Sequence, residues 1–281
     1  IGFGILILLK AQLPVRNCAF NVLKRIKMKM NAFCFSVCVL VCLLTLRIHA
    51  AESLGDPFEG NKLQNKNWKW SDEPKEWDIG KTKSGWLYIK GERNRNLWGD
   101  DTTNRLYQEH NGDFDIATHL IMDYKDASTV MGPAAYSSKI KDRKNRPGEW
   151  VTLKLWGRGG GDKNAVIQYQ KREFDGGEGL VGTHPGFLDP MGEIDLYMRM
   201  KRKGDTFTAW WKRKTKDKWE KVGETEHKFP DPIEVSIYSG IADAGGEMDS
   251  YYEYFEDLMN PFSISAGERL SVIWGALKQL K

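Results

Sequence analysis

The sequence predicts an all-β fold, an antiparallel two-sheet sandwich of the jelly-roll kind, on three observations. Period-two alternation of apolar and polar residues recurs along residues 51–262, as it must where one face of a strand meets a core and the other meets water. Eleven tryptophans and frequent Thr, Val and Tyr suit pleated, half-buried surfaces. The 28 glycines and 10 prolines interrupt the chain too often for long helices, and the roughly 230 residues after position 50 are an ordinary length for one sandwich.

The first fifty positions are a different kind of polypeptide. They hold all four cysteines, Cys18, Cys34, Cys38 and Cys42, and no acidic residue, whereas the chain from Glu52 onward is free of cysteine and rich in acids. Residues 1–27 precede the first methionine and are expected to be an upstream artefact of the reading frame. Lys27-Met28-Lys29-Met30 is basic, Ala32 to Leu46 is apolar, and Ile48-His49-Ala50-Ala51 ends in small residues, so residues 28–50 have the order of a secretory signal peptide. The apolar stretch, about 15 residues, is shorter than the ~20 a helix needs to cross a bilayer core. A secreted or periplasmic protein beginning near Ala51 is expected, with no stable membrane span after cleavage. Lys10, Arg16, Lys24, Arg25, Lys27, Lys29 and Arg47 also leave with the leader, so the formal charge of +4 less these seven becomes −3. That balance offers no basic face for phosphate, and nucleic acid is not an expected partner. No cysteine remains to form a disulfide.

Strands come next. Phe114, Ile116, Thr118, Leu120 and Met122 share one face of an extended segment. Val151, Leu153 and Leu155 alternate with Trp150, Thr152, Lys154 and Trp156, which gives an aliphatic face and a face of indoles with a cation. Leu196, Met198 and Met200 oppose Tyr197, Arg199 and Lys201. Phe207, Ala209 and Trp211 oppose Thr206, Thr208, Trp210 and Lys212 after Lys203-Gly204-Asp205, a tight hairpin turn. Val235 and Ile237 oppose Ser236 and Tyr238. Strands in such succession predict antiparallel sheets packed face to face. Only the tail, residues 263–281, changes period: Leu270, Ile273, Trp274, Leu277 and Leu280 fall at helical spacing after Ser265, so 266–280 is expected as a short helix, docked or loose.

Several segments in order resemble one family. Asp56-Pro57-Phe58-Glu59-Gly60 with Trp68-Lys69-Trp70 and Trp77, then Leu97-Trp98-Gly99, Gly112-Asp113-Phe114, Trp150 to Leu155 and Tyr197 to Arg202, follow its successive strands. Gly204-Asp205-Thr206-Phe207-Thr208-Ala209-Trp210-Trp211, with Trp219 downstream, is the most specific piece. The chain over about residues 54–258 resembles the concanavalin A-like domain of an unknown-function family related to regulation-of-enolase proteins and to the C-terminal module of family 43 β-xylosidases. Gly157 to Asp162 and Asp175 to Asp189 depart from it as insertions. The resemblance implies a concanavalin A-like sandwich. Such sandwiches often hold one structural calcium between first and last strands, where Asp56, Glu59 or Glu253 would supply oxygens.

Catalytic patterns are weak. Glu193-Ile194-Asp195 is similar to the start of the Glu-x-Asp-x-x-Glu strand of family 16 glycoside hydrolases, but Met198 stands where the third carboxylate would be. Retaining hydrolysis needs two carboxyls about 5 Å apart across the bond, so this pair is expected to be a polar strand edge and the protein not an enzyme. His110, His119, His184 and His227 are too scattered for metal-ligand spacing, and Gly157 to Asp162 lacks the Lys-Ser/Thr ending of a phosphate loop.

Trp150, Trp156, Tyr197 and Trp210 alternate away from the aliphatic core, with Lys154, Arg199 and Lys212 beside them. Indole faces stack on the C–H face of a pyranose, and the cations can meet hydroxyls or uronic carboxylates. The expected function is a secreted, monomeric, non-catalytic module that binds a glycan through Trp150, Lys154, Trp156, Tyr197, Arg199 and Trp210. The alternatives are an adhesive scaffold without sugar binding and, after it, a glycoside hydrolase.

Overall fold

Where the sequence alternates, the chain extends. The computed structural model describes residues 53–98, 103–141, 147–159, 164–173, 177–184, 188 and 192–261. The described residues belong to one unit beginning at Ser53. The signal peptide expected over 28–50 and the helix expected over 266–280 lie outside them, as does part of each inserted loop.

Fourteen strands are described: β1 Lys69–Trp70, β2 Trp77–Ile79, β3 Leu87–Lys90, β4 Asn104–His110, β5 Phe114–Lys125, β6 Thr129–Lys141, β7 Pro147–Gly157, β8 Ala165–Arg172, β9 Glu178–Thr183, β10 Gly192–Lys203, β11 Thr206–Lys212, β12 Glu220–Glu226, β13 Ile233–Ile241 and β14 Glu247–Asp257. They form two seven-stranded antiparallel sheets, one in the order β1-β4-β13-β6-β7-β8-β9 and the other β12-β11-β10-β5-β14-β3-β2. We call them the β7 sheet and the β10 sheet. This is the jelly-roll sandwich the alternation predicts, with no helix among the described residues.

The predicted inward faces meet between the sheets. Phe114, Ile116, Leu120 and Met122 of β5, Val151, Leu153 and Leu155 of β7, Leu196, Met198 and Met200 of β10, Phe207, Ala209 and Trp211 of β11, and Val235 and Ile237 of β13 join one buried cluster. The β10–β11 hairpin closes through Gly204 and Asp205, with Lys203 paired to Thr206 and Gly204 at φ +60°. A positive φ costs glycine nothing, which is why the turn falls there.

One feature of the fold was not visible in the alternation. Between β3 and β4 the chain runs as a strap across the outer face of the β7 sheet. Ile241 donates its N–H to the Glu92 carbonyl at 2.8 Å, Arg95 donates to the Ile241 carbonyl at 2.8 Å, and Asn94 donates to the Asp243 carbonyl at 3.1 Å. The crossing is so close that a Cβ on Gly240 would sit 2.5 Å from the Arg95 carbonyl oxygen. Beyond it, Leu97 is inserted into a second apolar cluster with Val130, Ala134, Tyr136, Trp150 and Tyr238, all on the outer side of the sheet. Arg172, fully buried, ties the strap down by donating from Nη2 to the Leu97 carbonyl at 2.9 Å while pairing with Glu178 at 2.9 Å.

The strap corrects one expectation. Trp150 points away from the core as predicted, yet it is 0% exposed because Leu97, Trp98 and Arg172 close over it. It is the floor of the outer face, not a solvent-facing ring.

Candidate functional site

Register builds the outer face of the β7 sheet row by row. Val130, Trp156 and Val166 are paired across β6, β7 and β8; Lys154 is paired to Gln168 and Gln168 to Thr183; Thr152 is paired to Gln170 and Gln170 to Leu180; Trp150 is paired to Arg172 and Arg172 to Glu178. The strap covers the last row and adds Asn96 and Trp98 beside the rest. What stays open is a cleft of about 310 Å³ lined by Asn96, Trp98, Ser128, Val130, Lys154, Trp156, Gln168, Gln170 and Leu180. That volume is at the small end of the roughly 300–1,000 Å³ usual for ligand sites.

The walls are indoles. Trp98 is 39% exposed and Leu180 55%, the most open large apolar groups on this face. Trp156 is half-buried and held in place by donating its Nε1–H to Ser128 Oγ at 2.7 Å; Ser128 is itself fixed by its N–H to Asp243 Oδ2 at 2.7 Å. A ring locked this way presents a face without losing rotamer freedom on binding. At the floor the Gln170 amide donates to Gln168 Oε1 at 2.8 Å, an amide pair with donor and acceptor capacity to spare.

Lys154 lies between these walls. It is 6% exposed, with its Nζ 5.3 Å from the Trp156 ring centroid and 5.8 Å from that of Trp98. Burial disfavours the ammonium and pushes its pKa down to about 8.

The other three predicted contact residues stand on the opposite outer face, that of the β10 sheet. Tyr197 is stacked on His119 at 4.1 Å and 7°, and its hydroxyl meets Thr215 Oγ1 at 2.8 Å. Arg199 makes a bidentate pair with Asp115 at 2.8 and 2.7 Å and covers Trp210 at 4.9 Å. Trp210, half-buried, lies under that cation. The six residues therefore do not form one surface: alternation tells inside from outside, but not which sheet a strand joins. Trp150, Lys154 and Trp156 share the outer face of β7, with Lys154 and Trp156 lining the cleft and Trp150 sealed against Leu97, Trp98 and Arg172.

The β10 face carries its own cluster. His119 lies between two carboxylates, Nδ1 at 2.5 Å from Glu253 Oε2 and Nε2 at 2.6 Å from Asp195 Oδ1, with the edge of Trp86 against the ring at 4.9 Å. Burial works against its charge, but the hydrogen bonds to Glu253 and Asp195 outweigh it and hold the pKa above the usual imidazole value. Asp195 thus orients a histidine, and its strand neighbour Glu193 stays exposed.

The residues suggested for calcium do not converge. Asp56 is 0% exposed and accepts from the N–H groups of Phe58, Gln64 and Asn65 and from Trp68 Nε1, at 2.8 to 3.1 Å, so its oxygens organise the first loop. Glu59 is exposed at that loop's edge, and Glu253 faces His119. Among the described residues no group of three His, Cys, Asp or Glu side chains is arranged to hold a metal ion. A larger cleft of about 660 Å³ runs beside the strap, and two of its cations are paired within the fold: Lys90 with Asp249, and Arg95 with Asp72 and Glu92.

Trp98, Gln168, Gln170, Asn96 and Leu180 were not anticipated. A signal for the glutamines existed: they alternate with Ile167 and Tyr169, both fully buried, and so belong to the same outward face as Lys154. Trp98 had only its place in Leu97-Trp98-Gly99, which gives no hint of a crossing strap.

No protein-family model matches the chain, and no curated protein matches it. Solved structures share its fold. Bacteroides ovatus xyloglucan PUL GH43B superposes with a TM-score of 0.55 at 13% identity, over 75% of this chain and 40% of that one. The GH43 BlXynB protein from Bacillus licheniformis gives 0.53 at 14% identity, over 72% and 38%. The chain thus spans about two fifths of these GH43 proteins. A functionally unknown protein from Saccharomyces cerevisiae gives 0.53 at 13% identity, over 69% of this chain and 98% of that one. The likeness is one of fold, and agrees with the concanavalin A-like sandwich that the sequence resembles.

Proposed function

We propose that the protein is an exported, non-catalytic carbohydrate-binding module whose ligand lies in the cleft between Trp98 and Trp156. One observation carries this reading: two indoles flank a small cleft whose floor is an amide pair, Gln168 and Gln170. Apolar walls take the C–H face of a pyranose ring, and the amides take its hydroxyls in directed hydrogen bonds. Among the described residues that line the cleft none is a carboxylate, the group that supplies acid and base in glycoside hydrolysis. Export rests on the order of basic, apolar and small residues in 28–50. That GH43 proteins share the fold is in keeping with a carbohydrate ligand and supplies no residue-level support.

A glycan array with the chain from Ala51 tests the proposal. Retention of a polysaccharide that Trp98→Ala and Trp156→Ala each weaken about tenfold or more, at one to three kcal/mol per stacked ring, is expected; the figure is taken from base–aromatic stacking. Absence of any glycan ligand would favour an adhesive module instead.

A further inference from the structure

Lys154 is a buried cation that meets no counter-ion among the described residues. Among the described residues its ammonium makes no hydrogen bond and no ion pair, and none of the residues lining the cleft is acidic. A second cation stands nearby, Arg158, whose guanidinium lies 5.4 Å from the Trp156 ring centroid. Glu178, a half-buried carboxylate on β9, is committed to Arg172. Burying an ammonium without a partner is costly, and the two indole faces return only part of that. A hydroxyl would accept a hydrogen bond from Lys154 but leave its charge uncompensated. An anion would complete it.

We propose that the cleft selects acidic saccharides, with a uronate carboxylate seated against Lys154 while its ring stacks on Trp98 or Trp156. The inference rests on the carbohydrate reading and narrows it to a substrate class. A carboxylate on a pyranose projects from the ring edge, so a ring lying on an indole can direct it at an ammonium held beside that indole. One ammonium matches one carboxylate in charge, and the amides of Gln168 and Gln170 remain for the hydroxyls. The lowered pKa of about 8 still leaves Lys154 mostly charged near neutrality, and anion binding would raise it.

The test compares each of three uronate polymers, polygalacturonate, alginate and glucuronoxylan, with its own carboxyl-reduced neutral form, and adds one sulfated galactan, all by calorimetric titration at pH 6.5. At least one acidic polymer is expected to bind about tenfold or more tighter than its reduced form, as for a hydrogen bond to a charged group. Lys154→Met, which keeps the side-chain volume, is expected to remove that difference between acidic and reduced forms, with its fold checked by melting. Equal binding of acidic and reduced forms by the unaltered protein would overturn the acidic selectivity and leave the carbohydrate reading standing. Retention of the preference in Lys154→Met would remove Lys154 from the role. Tighter binding of the sulfated galactan than of every uronate would overturn the carboxylate assignment. Failure of all polymers, acidic and neutral, would overturn both the inference and the reading beneath it.

Discussion

The indole of Trp98 lies 6.4 Å from that of Trp150, inclined at 50°, with the strap residue above and the strand residue below. This contact makes one outward-pointing tryptophan structural and leaves the other available. Trp150→Ala is therefore expected to destabilise the protein by about 3–5 kcal/mol, as for a core aromatic, and Trp211→Ala by a similar amount. Denaturant titration of the two variants beside Trp210→Ala, expected to lose less than either, about 1–2 kcal/mol, because its ring is only partly buried, checks the ranking.

Lys154 gives a pH signature with a definite sign. Its pKa falls from the ordinary 10.5 to about 8 in the folded chain, with burial as the only cause. The folded state thus binds its proton less well than the unfolded state, and the cost is full below pH 8. It amounts to about 3 kcal/mol, at 1.36 kcal/mol for each pKa unit. As pH rises from about 8 to 10.5 that cost is relieved. Lys154→Met should be more stable than the unaltered protein at pH 7, and its advantage should shrink across this window; denaturant midpoints at pH 7 and pH 10.5 measure it.

His119 has the opposite sign. Its two carboxylate partners raise the folded pKa over the opposing effect of burial, so its stabilisation is fully present below the unfolded value near 6.5 and is lost as pH rises through the folded value. Asp195 and Glu253 are each about half exposed, 50% and 44%, so the effect is modest, about 1 kcal/mol. His119→Gln should narrow the gap to the unaltered protein as pH goes from 5.5 to 9, read as melting temperature in matched buffers.

The two outer faces should separate cleanly in binding. Trp210→Ala and Tyr197→Phe alter the β10 sheet, on the far side of the sandwich from the cleft. Both are expected to leave polysaccharide retention within about twofold of the unaltered protein, where Trp156→Ala loses about tenfold. Affinity electrophoresis in a gel containing the retained polymer would show this directly.

Most of the sandwich was legible because alternation is local. Phe207 and Trp211 inside, Trp210 outside, and the Gly204-Asp205 turn follow from consecutive residues and hold in the structure. The site was legible only in part. Lys154 and Trp156 were found because they share a strand, whereas Tyr197, Arg199 and Trp210 were joined to them by a shared pattern although β10 and β11 belong to the other sheet. Trp98 and the burial of Trp150 depend on a strap held by Gly240 and Arg172, residues remote from it in sequence. Strand period carries no information about such a crossing.

The most direct measurement follows the indole N–H resonances of the protein in solution while a retained polysaccharide is added. A ligand in the cleft should shift the signals of Trp98 and Trp156, whose rings form its walls, and perturb Trp150 through its contact with Trp98, while Trp210 and Trp219 stay in place. Shifts confined to Trp210 and Trp219, with Trp98 and Trp156 unmoved, would contradict the cleft and place the binding face on the β10 sheet.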